Sequence, residues 1–398
     1  MYINMLTEYV CPNCGGHEIK LFYEARNVPI HSCVLLSTQQ EALNFSRGNI
    51  NLGFCTNCGF ISNFTFDPML LDYSVDYEDQ QCFSPTFNSF IQSLANNLVK
   101  KYDLYGKDIL EIGCGKGDFL ILLCKLGMNR GVGIDPAFIP NRILSETSGQ
   151  IKFIKDYYSD KYFNYHGDLV CCRHTLEHIY NTGEFVRDVR LAIGDRLNSI
   201  VFFEVPDVTR ILREVAFWDI YYEHCSYFSP GSLAKLFRLS HFEVVNLSRN
   251  FGDQYLFIEA KPVSNTSIKI DKLEENIKKM EGDVKYFSKN CRRKLDNWKK
   301  RLKQIYEDGL RTVVWGSGSK CVAFMTTLDV KNEIEYIIDI NPYRHNKFIP
   351  GVGKKIMPPE FMKKYKPNVT LIMNPIYCEE IREMIKDMDI STEIIPVE

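Results

Sequence analysis

A phenol, a carboxylate and an imidazole fall together in Tyr221-Tyr222-Glu223-His224. Such a set can take a proton from a substrate and steady the charge left behind. Histidine titrates near neutrality, so His224 is the candidate base, with Glu223 as a second titratable group and Tyr221 as a hydrogen-bond donor. Tyr222 is a candidate contact to the acceptor. The competing reading makes His224 a satisfied structural histidine on the approach to a helix at Ser232.

A second set lies upstream, where the apolar run Asp108-Ile-Leu-Glu111-Ile passes into Gly113-Cys-Gly115-Lys-Gly117. These glycines allow positive φ and let a ligand approach the main chain without meeting a Cβ. Their spacing is G-x-G-x-G, whereas a dinucleotide fingerprint places the third glycine one residue later and tucks a pyrophosphate against the helix. Glu111 and the shorter loop suit a ligand with no phosphate and a positive group, which describes S-adenosylmethionine (SAM). Gly131-Val-Gly-Ile-Asp135 then supplies a carboxylate about twenty residues on, placed to accept from a ribose diol. Asp156 and Tyr157, after the next strand, are candidates to read the adenine amino group and stack on its ring. His174 stands at the same edge near donor or acceptor, while His178 falls further on and reads as structural.

A third set is Cys11-Pro-Asn-Cys14-Gly and Cys55-Thr-Asn-Cys58-Gly. Two C-x-x-C knuckles offer four thiolates on glycine-bearing turns, the arrangement that a closed, tetrahedral structural zinc requires. The long separation leaves His31 and Cys33 as conceivable substitute ligands. Two redox-active pairs are the alternative, but the βαβ context for them is missing.

The elements that must carry these residues alternate strand and helix from Asp108 to Asp207, which means a parallel, doubly wound sheet with ligands beyond the carboxyl ends of its strands. Ahead of it, Tyr77 and Ser84 sit in a polar and aromatic segment suited to closing over a ligand, with Ser84 and Pro85 also reading as the cap and first residue of a helix. From Ser267 to about Gly309 the chain is charged, and Leu273, Ile277 and Met280 are spaced for a long amphipathic helix. Its Lys/Arg run from Lys289 to Lys303 reads as a solvated face. Val313-Val-Trp-Gly316-Ser-Gly318-Ser-Lys320 then repeats the strand-loop-helix pattern, and Tyr336-Ile-Ile-Asp339 is its next strand. Ser317, Ser319 and Lys320 could receive a phosphate at the helix N-terminus; a structural remnant of a cofactor fold is the equal alternative, and a catalytic NAD site the weaker third.

At 398 residues the chain is long enough for two or three domains, expected at 1–80 (zinc module and lid), 81–265 (SAM-binding core), 266–308 (helical linker) and 309–398 (second Rossmann-like domain). A formal net charge of −2 gives no electrostatic footprint for nucleic acid. The N-terminus has neither a positive leader nor a long apolar core, and no apolar run reaches spanning length. The expectation is a cytoplasmic protein with reduced thiols and no membrane or nucleic-acid partner, working as a monomer or weak homo-oligomer.

Taken in order, the paired knuckles, Leu110-Glu-Ile-Gly-Cys-Gly-Lys-Gly, Arg173-His-Thr-Leu-Glu-His-Ile, Tyr221-Tyr-Glu-His-Cys-Ser-Tyr-Phe-Ser and Asp339-Ile-Asn-Pro make the chain resemble the sugar C-methyltransferases, SAM-dependent enzymes of deoxysugar biosynthesis. The resemblance covers nearly the full length. It implies a zinc-bearing N-terminal domain, a class I methyltransferase core, a C-terminal α/β domain and a nucleotide-linked 4-keto sugar as acceptor, with His224 as the base and Tyr221 and Glu223 beside it. The segment from Tyr77 to Phe87 departs from the best-known members and points to a related branch. The rival readings are an O- or N-methyltransferase on another saccharide or small molecule, a dinucleotide-dependent oxidoreductase built on Gly316 and Gly318, and a non-enzymatic zinc-binding protein.

Overall fold

The structure is a computed structural model that describes residues 9–71, 73, 76–142, 150–264 and 270–398. The leader reading at Met1–Glu8 and the start of the helix expected from Ser267 therefore lie outside the described residues.

The chain opens with an antiparallel meander of β1 (Ile19–Pro29), β2 (Arg47–Cys55) and β3 (Ile61–Asn63), with the short helix α1 (Gln39–Leu43) between the first two. The cysteine knuckles hang on its open end, each closed by a following glycine at positive φ, Gly15 at 72° and Gly59 at 78°. Helix α2 (Pro85–Lys101) follows, started by Ser84, whose Oγ accepts from the Phe87 N–H, and by Pro85 at the first helical position. Its buried residues Ile91, Leu94, Ala95, Leu98 and Val99 recur at helical spacing and face the next sheet.

That sheet contains β4 (Asp108–Ile112), β5 (Arg130–Ile134), β6 (Ile151–Ile154), β7 (Leu169–Arg173) and β8 (Ile200–Pro206), all parallel, with α3 (Asp118–Gly127) and α4 (Thr182–Ile193) among the crossovers. Helix α5 (Val208–Glu214) leads into β9 (Ser226–Tyr227), which leaves this sheet and pairs with β3 as the fourth strand of the first. Helix α6 (Pro230–Leu239) and the antiparallel pair β10 (Phe242–Asn250) and β11 (Tyr255–Pro262) complete the order β10-β11-β8-β7-β4-β5-β6. This is the doubly wound sheet expected, with an antiparallel edge on one side.

Helix α7 (Ile277–Glu307) buries Met280, Val284, Phe287, Cys291, Trp298 and Leu302 along one stripe against α5 and β1 and leaves its lysines and arginines outside. Leu273 precedes the helix. The last unit runs β12 (Thr312–Trp315), α8 (Ser319–Thr327), β13 (Tyr336–Ile338), β14 (Lys355–Met357), α9 (Phe361–Tyr365), β15 (Val369–Ile372), α10 (Cys378–Asp387) and β16 (Glu393–Pro396). Its sheet is parallel throughout, in the order β14-β13-β12-β15-β16. One apolar core joins β1 and β2 to α5, α7 and this last sheet, so the units share an interior. Among the described residues no helix is long and apolar enough to cross a membrane.

Candidate active site

The carboxyl ends of β7 and β8 in one sheet and of β12, β13 and β15 in the other border one cavity of about 300 Å³. Its wall takes His174 and Pro206 from the ends of β7 and β8, and Trp315, Gly316 and Asn374 from the ends of β12 and β15. Direct bonds hold the sides together. Ser84 Oγ donates to Glu380 Oε2 at 2.7 Å, and the side-chain amides of Gln254 and Asn374 bond each other reciprocally at 2.9 and 3.1 Å.

The glycine turn after β4 has the geometry its spacing predicts. Gly113, Gly115 and Gly117 all take positive φ. A Cβ on Gly113 would lie 1.9 Å from Thr175 Oγ1, so that glycine serves packing, whereas a Cβ on Gly115 would meet nothing within 4 Å. Gly115 is thus where main chain stays open to a ligand. Asp135, at the end of β5, accepts from Gly115 N–H at 2.8 Å and Ala137 N–H at 2.7 Å. Burial pushes its carboxyl up to about 6 against those two bonds. Glu111 is buried at the end of β4, and its Oε2 has no hydrogen-bond partner among the described residues. Burial lifts it to about 8, with Arg173 pulling the other way. An orphaned carboxylate oxygen beside an open glycine turn fits a ligand that brings an ammonium group, as the methionine part of SAM does. Lys116 was not foreseen from the sequence: its buried ammonium donates to Tyr77 O at 3.0 Å and Ala137 O at 2.6 Å, clamping the preceding segment over this turn.

Asp156 and Tyr157 are not brought to the glycine turn by any bond. The Asp156 carboxylate accepts from Tyr162 O–H at 2.6 Å and from Lys161, and Tyr157 is 54% exposed. Nearer the turn, Phe153 packs over Gly117 and stacks on Phe138 with ring centroids 4.3 Å apart, an aromatic pair that no local sequence pattern announces.

The cavity wall, which the β4 glycine turn and Asp135 do not join, includes His224, buried, its ring 4.1 Å from that of Tyr221. Among the described residues nothing hydrogen-bonds its imidazole. Burial, reinforced by the positive fields of His178, His174 and Lys320, holds its pKa well below the ordinary histidine value. It is a neutral imidazole with lone-pair capacity aimed into the cavity. Burial keeps the Tyr221 phenol protonated, well above its usual range, so Tyr221 remains a donor.

Other expectations change on inspection. Glu223 does not reach the cavity: its carboxylate accepts from His31 Nδ1 at 2.9 Å, from Ser32 N–H at 3.2 Å and from the Ser32 hydroxyl. It anchors the turn, which the His224 N–H closes on Tyr221 O, to the segment just after β1. Tyr222 is buried over Gly48, with its hydroxyl accepting from Asp67 N–H at 2.9 Å, and does not line the cavity. His31 and Cys33 are likewise not zinc ligands, since His31 holds Glu223 and Cys33 Sγ lies 3.3 Å from Ser319 Oγ at the cavity wall. His174, at φ 48°, places Nε2 3.0 Å from Glu204 Oε1 and Nδ1 3.2 Å from Glu177 Oε1. Burial would lower its pKa, but the two carboxylates outweigh that and raise it to about 9, making His174 a fixed cation in the wall and no proton acceptor. His178, read as structural, instead lines the cavity with its ring 4.7 Å from that of His224. Tyr77, Ser84 and Lys320 do line the cavity; Lys320 is ion-paired with Asp219, which Arg210 also holds.

The four knuckle cysteines converge as predicted. Cys11 and Cys58 Sγ are 3.6 Å apart, Cys14 and Cys55 Sγ 3.8 Å, and all four lie within 4.8 Å of one another. Side-chain amides of Asn13 and Asn57 donate to Cys58 and Cys14 sulfurs at 3.7 and 3.3 Å, which suits thiolates.

Comparison with known proteins agrees with this geometry. The family described as a methyltransferase domain matches residues 86–247, and the family described as a C-methyltransferase C-terminal domain matches residues 259–394. The C-methyltransferase NovU of Streptomyces niveus is 24% identical over 322 residues, which are 75% of this chain and 73% of that protein. Among solved structures, N,N-8-amino-8-demethyl-D-riboflavin dimethyltransferase (RosA) of Streptomyces davawensis aligns at 17% identity and TM-score 0.36 over 44% of this chain and 56% of its own, little more than half its length. The 1,6-didemethyltoxoflavin-N1-methyltransferase of Burkholderia thailandensis aligns at 15% identity and TM-score 0.36 over 45% of this chain and 82% of its own. With a methyltransferase domain followed by a segment that matches a C-methyltransferase C-terminal domain, the chain is a SAM-dependent methyltransferase similar to C-methyltransferases.

Proposed function

We propose that the enzyme methylates a carbon next to the carbonyl of a nucleotide-linked keto sugar. The observation that carries this reading is the neutral imidazole of His224, without a hydrogen bond among the described residues, beside the Tyr221 phenol in a cavity that the glycine turn of the second Rossmann-like sheet also lines. SAM, when bound, supplies an electrophilic methyl group on a sulfonium. Gly115, Asp135 and Glu111 would hold it. His224 removes the acidified proton, and Tyr221 donates to the oxygen on which the enolate charge gathers. The cation of His174, the lysine at Lys320 and the buried wall keep that charge from being quenched by solvent. Gly318, Ser319 and Lys320 at the start of α8 would provide main-chain donors for a diphosphate. The cysteine cluster is read as a closed structural zinc site, and the chain as the four segments 1–80, 81–265, 266–308 and 309–398.

Exchange of the acceptor C–H for deuterium in heavy water tests the chemistry, run with a panel of 4-keto nucleotide sugars. The expected result is exchange and a gain of one methyl group with wild type. His224→Ala should lose turnover by about 10²–10⁴-fold with SAM affinity intact. Methylation without any exchangeable carbon proton would replace this reading with O- or N-methylation.

A further inference from the structure

Beside the proposed base lies a second group of ligating atoms that the methyl transfer does not use. Glu177 and His178 sit on the turn after β7, His224 on the turn before β9, and one ligand atom from each lies within 4.8 Å of the others. The Glu177 side chain is almost wholly buried, and its Oε2 has no hydrogen-bond partner among the described residues, while Oε1 is taken by His174. His178 Nδ1 bonds the Tyr73 hydroxyl at 2.7 Å, leaving its other ring nitrogen for a ligand. The His178 and His224 rings stand at 88° to each other. Two imidazoles and a carboxylate converging from separate turns suit zinc-class ions, and the Tyr73 and His174 bonds are the outer-shell partners that orient such ligands.

We propose that Glu177, His178 and His224 form a site for a divalent ion of the zinc class, separate from the four-cysteine cluster, and that occupation of this site and proton removal by His224 exclude each other. The ion takes the same imidazole lone pair that would receive the substrate proton. The site itself does not depend on the function proposed above; the effect on turnover does.

The test titrates the full-length, metal-stripped protein with Co²⁺ and follows its visible spectrum. Two equivalents are expected. One carries the intense thiolate-to-metal charge-transfer band of the cysteine cluster. The other adds only weaker ligand-field bands, and its affinity falls at least about 100-fold in His178→Ala and Glu177→Gln and about 10-fold in Tyr73→Phe. The cysteine-cluster band in each variant reports that the protein is folded. A single equivalent, or a second one indifferent to all three substitutions, overturns the site. In the zinc-loaded enzyme, added Zn²⁺ should inhibit turnover over the concentration range in which it displaces the second Co²⁺. Binding there without inhibition keeps the site and overturns His224 as the base.

Discussion

The two Rossmann-like sheets of this chain each end their first strand in a glycine turn and set an aspartate opposite it, yet they use that aspartate differently. After β4, Asp135 accepts only two main-chain N–H groups, from Gly115 and Ala137, and retains acceptor capacity toward the open turn. After β12, Asp339 accepts from Ser317 N–H at 2.8 Å, from the Ser317 hydroxyl at 2.5 Å and from Asn341 N–H at 2.8 Å, and Arg344 braces that hydroxyl at 3.1 Å. Ser317, which stands where the first turn has Cys114, thus puts its hydroxyl on the carboxylate position that a ribose diol would occupy. One topology gives an aspartate bonded to main chain alone and one that also holds a serine hydroxyl. This also weakens an NAD site in the second sheet.

The comparison is broken most directly by exchanging roles. Asp135→Ala should lower SAM affinity by at least about 100-fold, the loss of hydrogen bonds to a charged acceptor, while Asp339→Ala leaves it within about threefold. Calorimetry reads both, and a comparable loss in Asp339→Ala would erase the distinction. Gly113→Ala should unfold the protein or cost about 3 kcal/mol or more in denaturant melts, because the new methyl strikes Thr175 at a residue with φ 71°. Ser317→Ala should cost about 1–3 kcal/mol through the buried Asp339 acceptor and confer no SAM binding on the second turn. Asp135 must be ionised to accept from ribose, and burial holds its carboxyl up to about 6. With Glu111 raised to about 8 as well, SAM affinity should be level above pH 8, fall about tenfold per unit between pH 8 and 6 and faster below pH 6, by calorimetry across pH. Gly318→Ala should change stability by no more than about 0.5 kcal/mol, since its φ is an ordinary −74° and its Cβ would touch nothing.

What could be read from the sequence was local. Glycine spacing, paired C-x-x-C turns and the Ser84-Pro85 helix start each carry their geometry within a few residues. The strands ending at Asp135 and Asp339 follow from apolar runs closed by an acid. Side-chain direction in irregular turns was not legible: Tyr222 and Glu223 lie between the cavity-lining Tyr221 and His224 yet point into packing and toward His31. His178 was misplaced for a related reason, because residues 176–178 form a tight 3-10 turn in which helical spacing does not apply. The far wall of the cavity was hidden as well. Arg344, Asn374 and Tyr377 meet the methyltransferase sheet only through folding, with no periodicity to report it.

The pairing of β9 with β3 gives this architecture an evolutionary consequence. The segment that carries Tyr221 and His224 continues directly into a strand of the cysteine-bearing sheet, and Glu223 ties the same turn to His31 and Ser32. The N-terminal module is therefore not an exchangeable cartridge. A chimera that swaps residues 1–80 between relatives would inherit a sheet lacking its own fourth strand and a turn lacking its anchor. Recombination in this lineage must carry Tyr221–Phe228 together with the N-terminal sheet, or leave both in place.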